Sequence, residues 1–159
     1  MTKIHFALTG EAATGKTTVG RLLANKLGLP FKDLDTEIGV LPDDRAFRVQ
    51  ESKSLSYLLS DPEPQVIATG GGCVMFVDNR DNLAKHSVVI HLLAADWIKE
   101  RNLKADASRT MRHQYSVHNE NVRHWVKEEC SVLINVLSTN NPDKVCSHII
   151  DILEQKGLV

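Results

Sequence analysis

Cysteine is scarce: Cys73, Cys130 and Cys146 form an odd set with no C-x-x-C pairing. That count supplies no disulfide framework and suits reduced thiols. Long hydrophobic runs are missing too. No stretch approaches the ~20 apolar residues of a membrane span, so no membrane partner is expected. The apolar start of the chain meets a glycine by residue 10, too soon for the apolar region of a signal peptide. A cytoplasmic location follows as the expectation. Charge of one sign is not in excess either. Nineteen Lys and Arg face twenty Asp and Glu, so the broad basic footprint of a nucleic-acid binder is lacking. No linker, internal repeat or low-complexity stretch divides the 159 residues, and residues 1–159 read as one domain able to bury its own core.

What is present is an alternation of short apolar runs and helical stripes. Ile4–Thr9 is a run too short for a helix, ending at Gly10, and reads as a buried strand. From Lys16 to Leu27, Val19, Leu22, Leu23 and Leu27 share one helical face, and Gly28 follows as a C-terminal cap. Further strands are predicted at Leu29–Leu34, Gln65–Thr69, Ser87–Leu93 and Ser131–Leu137. Helices are predicted at Arg45–Leu59, Val77–Lys85, Ala95–Asn102 and Asn121–Glu129. A last helix is capped by Asn141, has Pro142 in its first turn and Gly157 beyond its end. Strands alternating with helices imply an α/β domain with a mostly parallel sheet covered on both faces. Lys104–Asn119 is polar without a sustained period and reads as a loop or mobile segment.

Between the first strand and first helix, Gly10-Glu11-Ala12-Ala13-Thr14-Gly15-Lys16-Thr17 matches G-x-x-x-x-G-K-[ST] in full, in the context the motif requires. Glycines let successive backbone N–H groups turn inward around a phosphate, and the helix N-terminus adds partial positive charge. Lys16 is then placed to reach the β- and γ-phosphates of a nucleoside triphosphate, and the Thr17 hydroxyl to ligate Mg²⁺. Ala12, Ala13, Thr14 and Thr18 complete the expected ATP contacts. The motif by itself does not decide what happens to the phosphate.

Other groups bear on an acceptor. Asp33 and Asp35 close the second predicted strand, where a parallel sheet presents its ligand-binding rim. Two apart on a strand, they would share a face. One could hold Mg²⁺ and the other take a hydroxyl proton, or the pair could be a polar turn. Arg48 and Glu51 stand one helical turn apart, either as a surface ion pair or as an arginine oriented to grip an anion. Gly70-Gly71-Gly72 ends another strand, and three successive glycines point to close backbone approach to a ligand rather than a plain turn.

Together these residues resemble the shikimate kinase family. The likeness runs through the phosphate loop and the Thr-Val-Gly-Arg-Leu-Leu-Ala that follows it, then Leu-Gly-Leu-Pro-Phe-Lys-Asp-Leu-Asp, Phe-Arg-x-x-Glu and Val-Ile-Ala-Thr-Gly-Gly-Gly. The resemblance implies a three-layer P-loop fold with a five-stranded parallel sheet in order 2-3-1-4-5. It also implies transfer of the ATP γ-phosphoryl group to the 3-hydroxyl of shikimate. By the same resemblance Asp33 belongs to the magnesium shell and Asp35 is the hydroxyl-binding base. Arg48 and Arg123 grip the shikimate carboxylate, Gly70, Gly71 and Gly72 line that pocket, and Arg101 flanks adenine. Arg109 closes over the phosphates from a lid at about 104–119, and a short substrate-binding segment covers about 36–60. Only twelve residues separate Asp35 from Arg48, where the family has a longer stretch with an extra helix.

The expectation is a monomeric kinase for an anionic small molecule, shikimate favoured. Another hydroxy acid, a sugar acid or a nucleotide is the alternative acceptor, and a non-catalytic nucleotide-binding relative the alternative class. The basic residues in 99–112 have no aromatic interleaving and fit a lid over triphosphate better than a nucleic-acid groove. His113 and His118 sit at no metal-ligand spacing and read as structural or solvent-facing. Cys73 reads as a small packed side chain, and Trp97 and Trp125 as core or interface anchors.

Overall fold

A computed structural model describes residues 3–105, 118–135 and 141–159. Five parallel strands form one sheet: β1 (His5–Thr9), β2 (Phe31–Asp33), β3 (Val66–Ala68), β4 (Ser87–Leu93) and β5 (Val132–Asn135), in the order β2-β3-β1-β4-β5. The helices are α1 (Lys16–Leu27), α2 (Leu34–Ile38), α3 (Asp44–Leu59), α4 (Val77–His86), α5 (Asp96–Ala105), α6 (Glu120–Glu129) and α7 (Pro142–Gln155), with a 3-10 turn at Cys73–Met75.

The apolar runs become the central strands because both of their faces are covered. Every residue of β1 and β3 is buried, and β4 is exposed only at Leu93. Side chains alternate across the sheet. Phe6, Leu8, Val88, Ile90 and Leu92 pack with Leu23 of α1 and Ile149 and Leu153 of α7. Ala7, Ile67 and Val89 face the other way, onto Leu55, Leu58, Leu83, Val122 and Trp125. The edge strands are less covered, and β5 alternates buried with exposed residues.

The helix ends follow the expected chemistry. Gly28, at φ 66°, donates its N–H to the carbonyls of Ala24 and Asn25. Asn141 caps α7 by accepting from the Asp143 N–H, with Pro142 in the first turn. Asp43 caps α3 through the Ala46 N–H, which moves that helix start one residue before the predicted Arg45.

Some expectations change. The second strand stops at Asp33, because the Asp33 carboxylate accepts the Asp35 N–H and starts α2 at Leu34. Asp35 therefore stands in a helical turn and not on a strand. α5 runs on to Ala105, so the predicted loop does not begin at Lys104. Trp125 is buried as expected, but Trp97 is 55% exposed and anchors no core. Most of the lid segment lies outside the described residues.

Leu23 is fully buried between the sheet and α7. Leu23→Ala is expected to lower unfolding free energy by about 2–5 kcal/mol through lost burial and a residual cavity, read from denaturant midpoints at unchanged m-value.

Candidate active site

The strand order brings the ends of β1, β2 and β3 together at one rim, and each then enters a turn that carries polar groups. After β1 the chain passes through residues 10–15 into α1. Gly10 takes φ 146°, and a Cβ there would lie 2.6 Å from the Leu92 carbonyl oxygen. Gly15, at φ 96°, begins α1 with no side-chain cap and no acid in its first turn. The first-turn N–H groups and the helix dipole are thus offered to an anion. Ala12, Ala13 and Thr14 are buried in the loop, Ala13 at φ 63°, and Thr18 is exposed on the first turn of α1. Lys16 folds back across the loop, its Nζ donating to the carbonyls of Gly10 (2.8 Å) and Glu11 (2.7 Å). An ammonium lying over inward-facing amides suits phosphate oxygens.

Thr17 and Asp33 meet beside this loop. The Thr17 hydroxyl donates to Asp33 Oδ2 at 2.6 Å, which leaves the hydroxyl lone pairs available to a cation. A hydroxyl next to a carboxylate is a hard oxygen set of the kind Mg²⁺ prefers. The residues present fit that ion.

The acceptor side is built around the glycines after β3. Arg48 Nη1 donates to Glu51 Oε1 at 2.7 Å, and Glu51 is fully buried while Arg48 is 21% exposed. This is no surface ion pair. A Cβ at Gly72 would lie 2.3 Å from Arg48 Nη2 and 2.6 Å from its Cζ. At Gly70 a Cβ would lie 2.7 Å from Glu51 Oε2 and 3.0 Å from Asp35 Oδ1. Two carboxylates and one guanidinium therefore converge where side chains are missing, and Gly71 lies buried between the two contacts. Cys73, directly beyond, is fully buried, and burial pushes its thiol well above the usual range, as a packed side chain requires.

Arg123 stands apart from this cluster. It is largely exposed on α6, 3.8 Å from Glu120, and lines a cavity of about 410 Å³ with Glu11, Thr14, His91 and His118. No contact among the described residues joins it to Arg48. Arg101 is exposed on α5 with its guanidinium 5.9 Å over the Trp97 ring. Arg109 lies outside the described residues.

Several groups come in that sequence periodicity does not reveal, because their partners lie far along the chain. Glu11 pairs with Lys99 of α5 and accepts the His118 N–H at 3.2 Å. Burial opposes its charge, yet the Lys99 and His118 hydrogen bonds prevail and hold the Glu11 carboxyl below its usual value. Asn102 donates to the Ala13 carbonyl at 2.9 Å, bracing the residue with the unusual backbone angle. His118 Nε2 lies 2.8 Å from the Gly71 carbonyl, and His91 Nδ1 lies 2.8 Å from Thr9 Oγ1, with the two rings 5.6 Å apart. No cluster of metal-ligating side chains occurs among the described residues.

The sequence model of the shikimate kinase family matches residues 12–154 of the chain. A shikimate kinase of Alkaliphilus oremlandii is 43% identical over 115 residues, which cover 65% of this chain and 67% of that one. One of Nitrosomonas europaea is 36% identical over 125 residues, covering 72% and 59% respectively. The chain thus spans about three-fifths of the length of most such relatives, 63% in several further cases. Among solved structures, the shikimate kinase of Acinetobacter baumannii in complex with shikimate superposes with a TM-score of 0.77 at 26% identity, covering 99% of this chain and 97% of that one.

His91 is expected to make stability depend on pH. Burial, then the nearby His118 and Lys16, lower its pKa from 6.5 to about 3. Between those values the unfolded chain binds a proton that the folded chain refuses, so stability is expected to fall as pH drops through that window. His91→Gln should reduce the dependence, leaving the part carried by His5 and His118, which burial also lowers, checked by denaturant midpoints at pH 7 and pH 5. Equal slopes in both proteins would remove His91 as the cause.

Proposed function

The chain belongs to the shikimate kinase family, and from that membership we propose that it transfers the γ-phosphoryl group of ATP to the 3-hydroxyl of shikimate. The observation that carries this reading is the convergence of Asp35, Arg48 and Glu51 on Gly70 and Gly72, one strand away from the phosphate loop. A module that only held nucleotide would have no use for a buried carboxylate orienting an arginine beside a second carboxylate.

In this reading the loop amides and Lys16 gather the phosphate charge of ATP, and Gly10 and Gly15 give the backbone the shape to do so. Thr17 and Asp33 would hold Mg²⁺, which when bound neutralises charge on the phosphate oxygens. Arg48, held by Glu51, binds the acceptor carboxylate in a forked pair. Gly70 and Gly72 keep that face open, and Gly71 continues it. Asp35 accepts the proton of the attacking hydroxyl. Arg123, as a second carboxylate ligand, would have to turn inward from its exposed position on α6. Arg101 flanks the adenine and Arg109 covers the phosphates. Catalysis is then largely positioning and charge neutralisation, as phosphoryl transfer demands. All these groups come from one chain, so a monomer suffices. The net charge of −1 gives no reason to invoke nucleic acid.

Two experiments test the reading. Lys16→Ala is expected to abolish ADP release in a coupled assay with ATP and shikimate, with the fold retained by circular dichroism. Near-normal turnover would remove Lys16 from the chemistry. Arg48→Ala is expected to raise the shikimate KM roughly 10- to 150-fold while the ATP KM stays within about twofold, the loss of one charge-assisted forked contact. Arg48→Lys should recover only part, because an ammonium cannot fork onto a carboxylate. Wild-type protein that turns over gluconate or a nucleoside monophosphate but not shikimate would keep the kinase class and replace the acceptor.

A further inference from the structure

We infer that His118 is a positioning residue for the acceptor site: it holds the Gly71 peptide in place while its own backbone is anchored to Glu11 of the phosphate loop. The inference rests on the acceptor site being the one proposed above. His118 is only 6% exposed and makes two bonds in different directions. Its backbone N–H donates to Glu11 Oε1 at 3.2 Å, and its ring reaches the Gly71 carbonyl at 2.8 Å. A carbonyl can only accept, so Nε2 carries the proton. Lys99 fixes the other oxygen of Glu11. One unbroken series of hydrogen bonds thus runs from α5 through the phosphate loop to the glycines after β3.

The position of that last bond gives it consequence. The Gly71 carbonyl belongs to the peptide that leads into Gly72, against which the Arg48 guanidinium lies with no room for a Cβ. Rotation of that peptide would alter the surface that Arg48 rests on. The next turn is closed by backbone bonds from Cys73 to Gly70 and from Met75 to Gly72, both 3.1 Å, so the downstream side is fixed already. His118 fixes the remaining carbonyl. The buried His91 ring, bonded to Thr9, lies 5.6 Å from the His118 ring.

His118→Ala is expected to raise the shikimate KM about 3- to 10-fold, the loss of one hydrogen bond, with the ATP KM within about twofold. The backbone bond to Glu11 survives this substitution, so the nucleotide side is spared. His118→Gln, whose amide can donate over a similar reach, should restore most of the loss. His118→Asn falls short of Gly71 and should repeat the alanine result, which serves if the alanine variant does not fold. Equal changes in both KM values, or none in either, would overturn the inference. Amide hydrogen exchange on the unliganded proteins is read in parallel. The Cys73 and Met75 amides should exchange faster in the alanine and asparagine variants than in wild type or the glutamine variant. Wild-type protein without shikimate turnover would sink the acceptor reading, and the exchange data alone would then decide whether His118 holds the turn. Unchanged exchange would overturn it.

Discussion

The acceptor side of the molecule depends on the absence of a side chain at residue 72. The Arg48 guanidinium occupies the space a Cβ would need, and in that place it meets the buried Glu51 at 2.7 Å. Glu51 in turn reaches Gly70, where Asp35 arrives from the start of α2. Arg48 and Glu51 come from α3 and Asp35 from α2, and the glycines after β3 are where all three can approach the backbone. The parallel sheet makes this possible by releasing β2 and β3 at the same rim as the phosphate loop.

Magnitudes separate stability from function here. A buried ion pair returns little net folding energy, because desolvation of both charges offsets most of their attraction. Removing one partner, by contrast, leaves a charge stranded at a cost of about 3–5 kcal/mol. The Arg48–Glu51 pair is therefore poorly explained as a stabilising device. A requirement for an oriented guanidinium explains it better. Stability comes from the two apolar layers, where Leu8, Leu23, Ile90 and Leu153 on one side and Leu55, Ile67 and Leu83 on the other are removed from water.

Much of this was legible in the sequence. The five strands, the span of α1 and the caps at Gly28 and Asn141 follow from local rules: apolar runs, a helical stripe, and residues with one special conformation or hydrogen bond. The strand order came only from the family resemblance. Three consecutive glycines announce close approach of a ligand to the backbone, but not that Arg48, Glu51 and Asp35 of this chain approach Gly70 and Gly72. Legibility ends where a side chain answers to something distant. Asp35 looked like part of the strand end, but the Asp33 carboxylate captures its N–H and turns the chain into α2. Arg48 and Glu51 at helical spacing were equally compatible with a solvent-facing pair, and only tertiary burial distinguishes the two. His118 contacts Gly71 from 47 positions away, and Lys99 contacts Glu11 from 88. No periodicity reports such contacts.

The central place of β1 has a consequence for how the chain is made. Its neighbours are β3 and β4, so Phe6 pairs with Val66, and Thr9 pairs with His91. At synthesis rates of about 5–20 residues per second, some 4–16 s separate the emergence of β1 from that of its second partner. Until β3 emerges this largely apolar strand has two unpaired edges, and until β4 emerges it keeps one. Early packing of Leu23 and its neighbours on α1 against one face is the local contact available to shield it. The strand that organises the finished sheet is thus the segment most exposed to misassociation while the sheet is still incomplete.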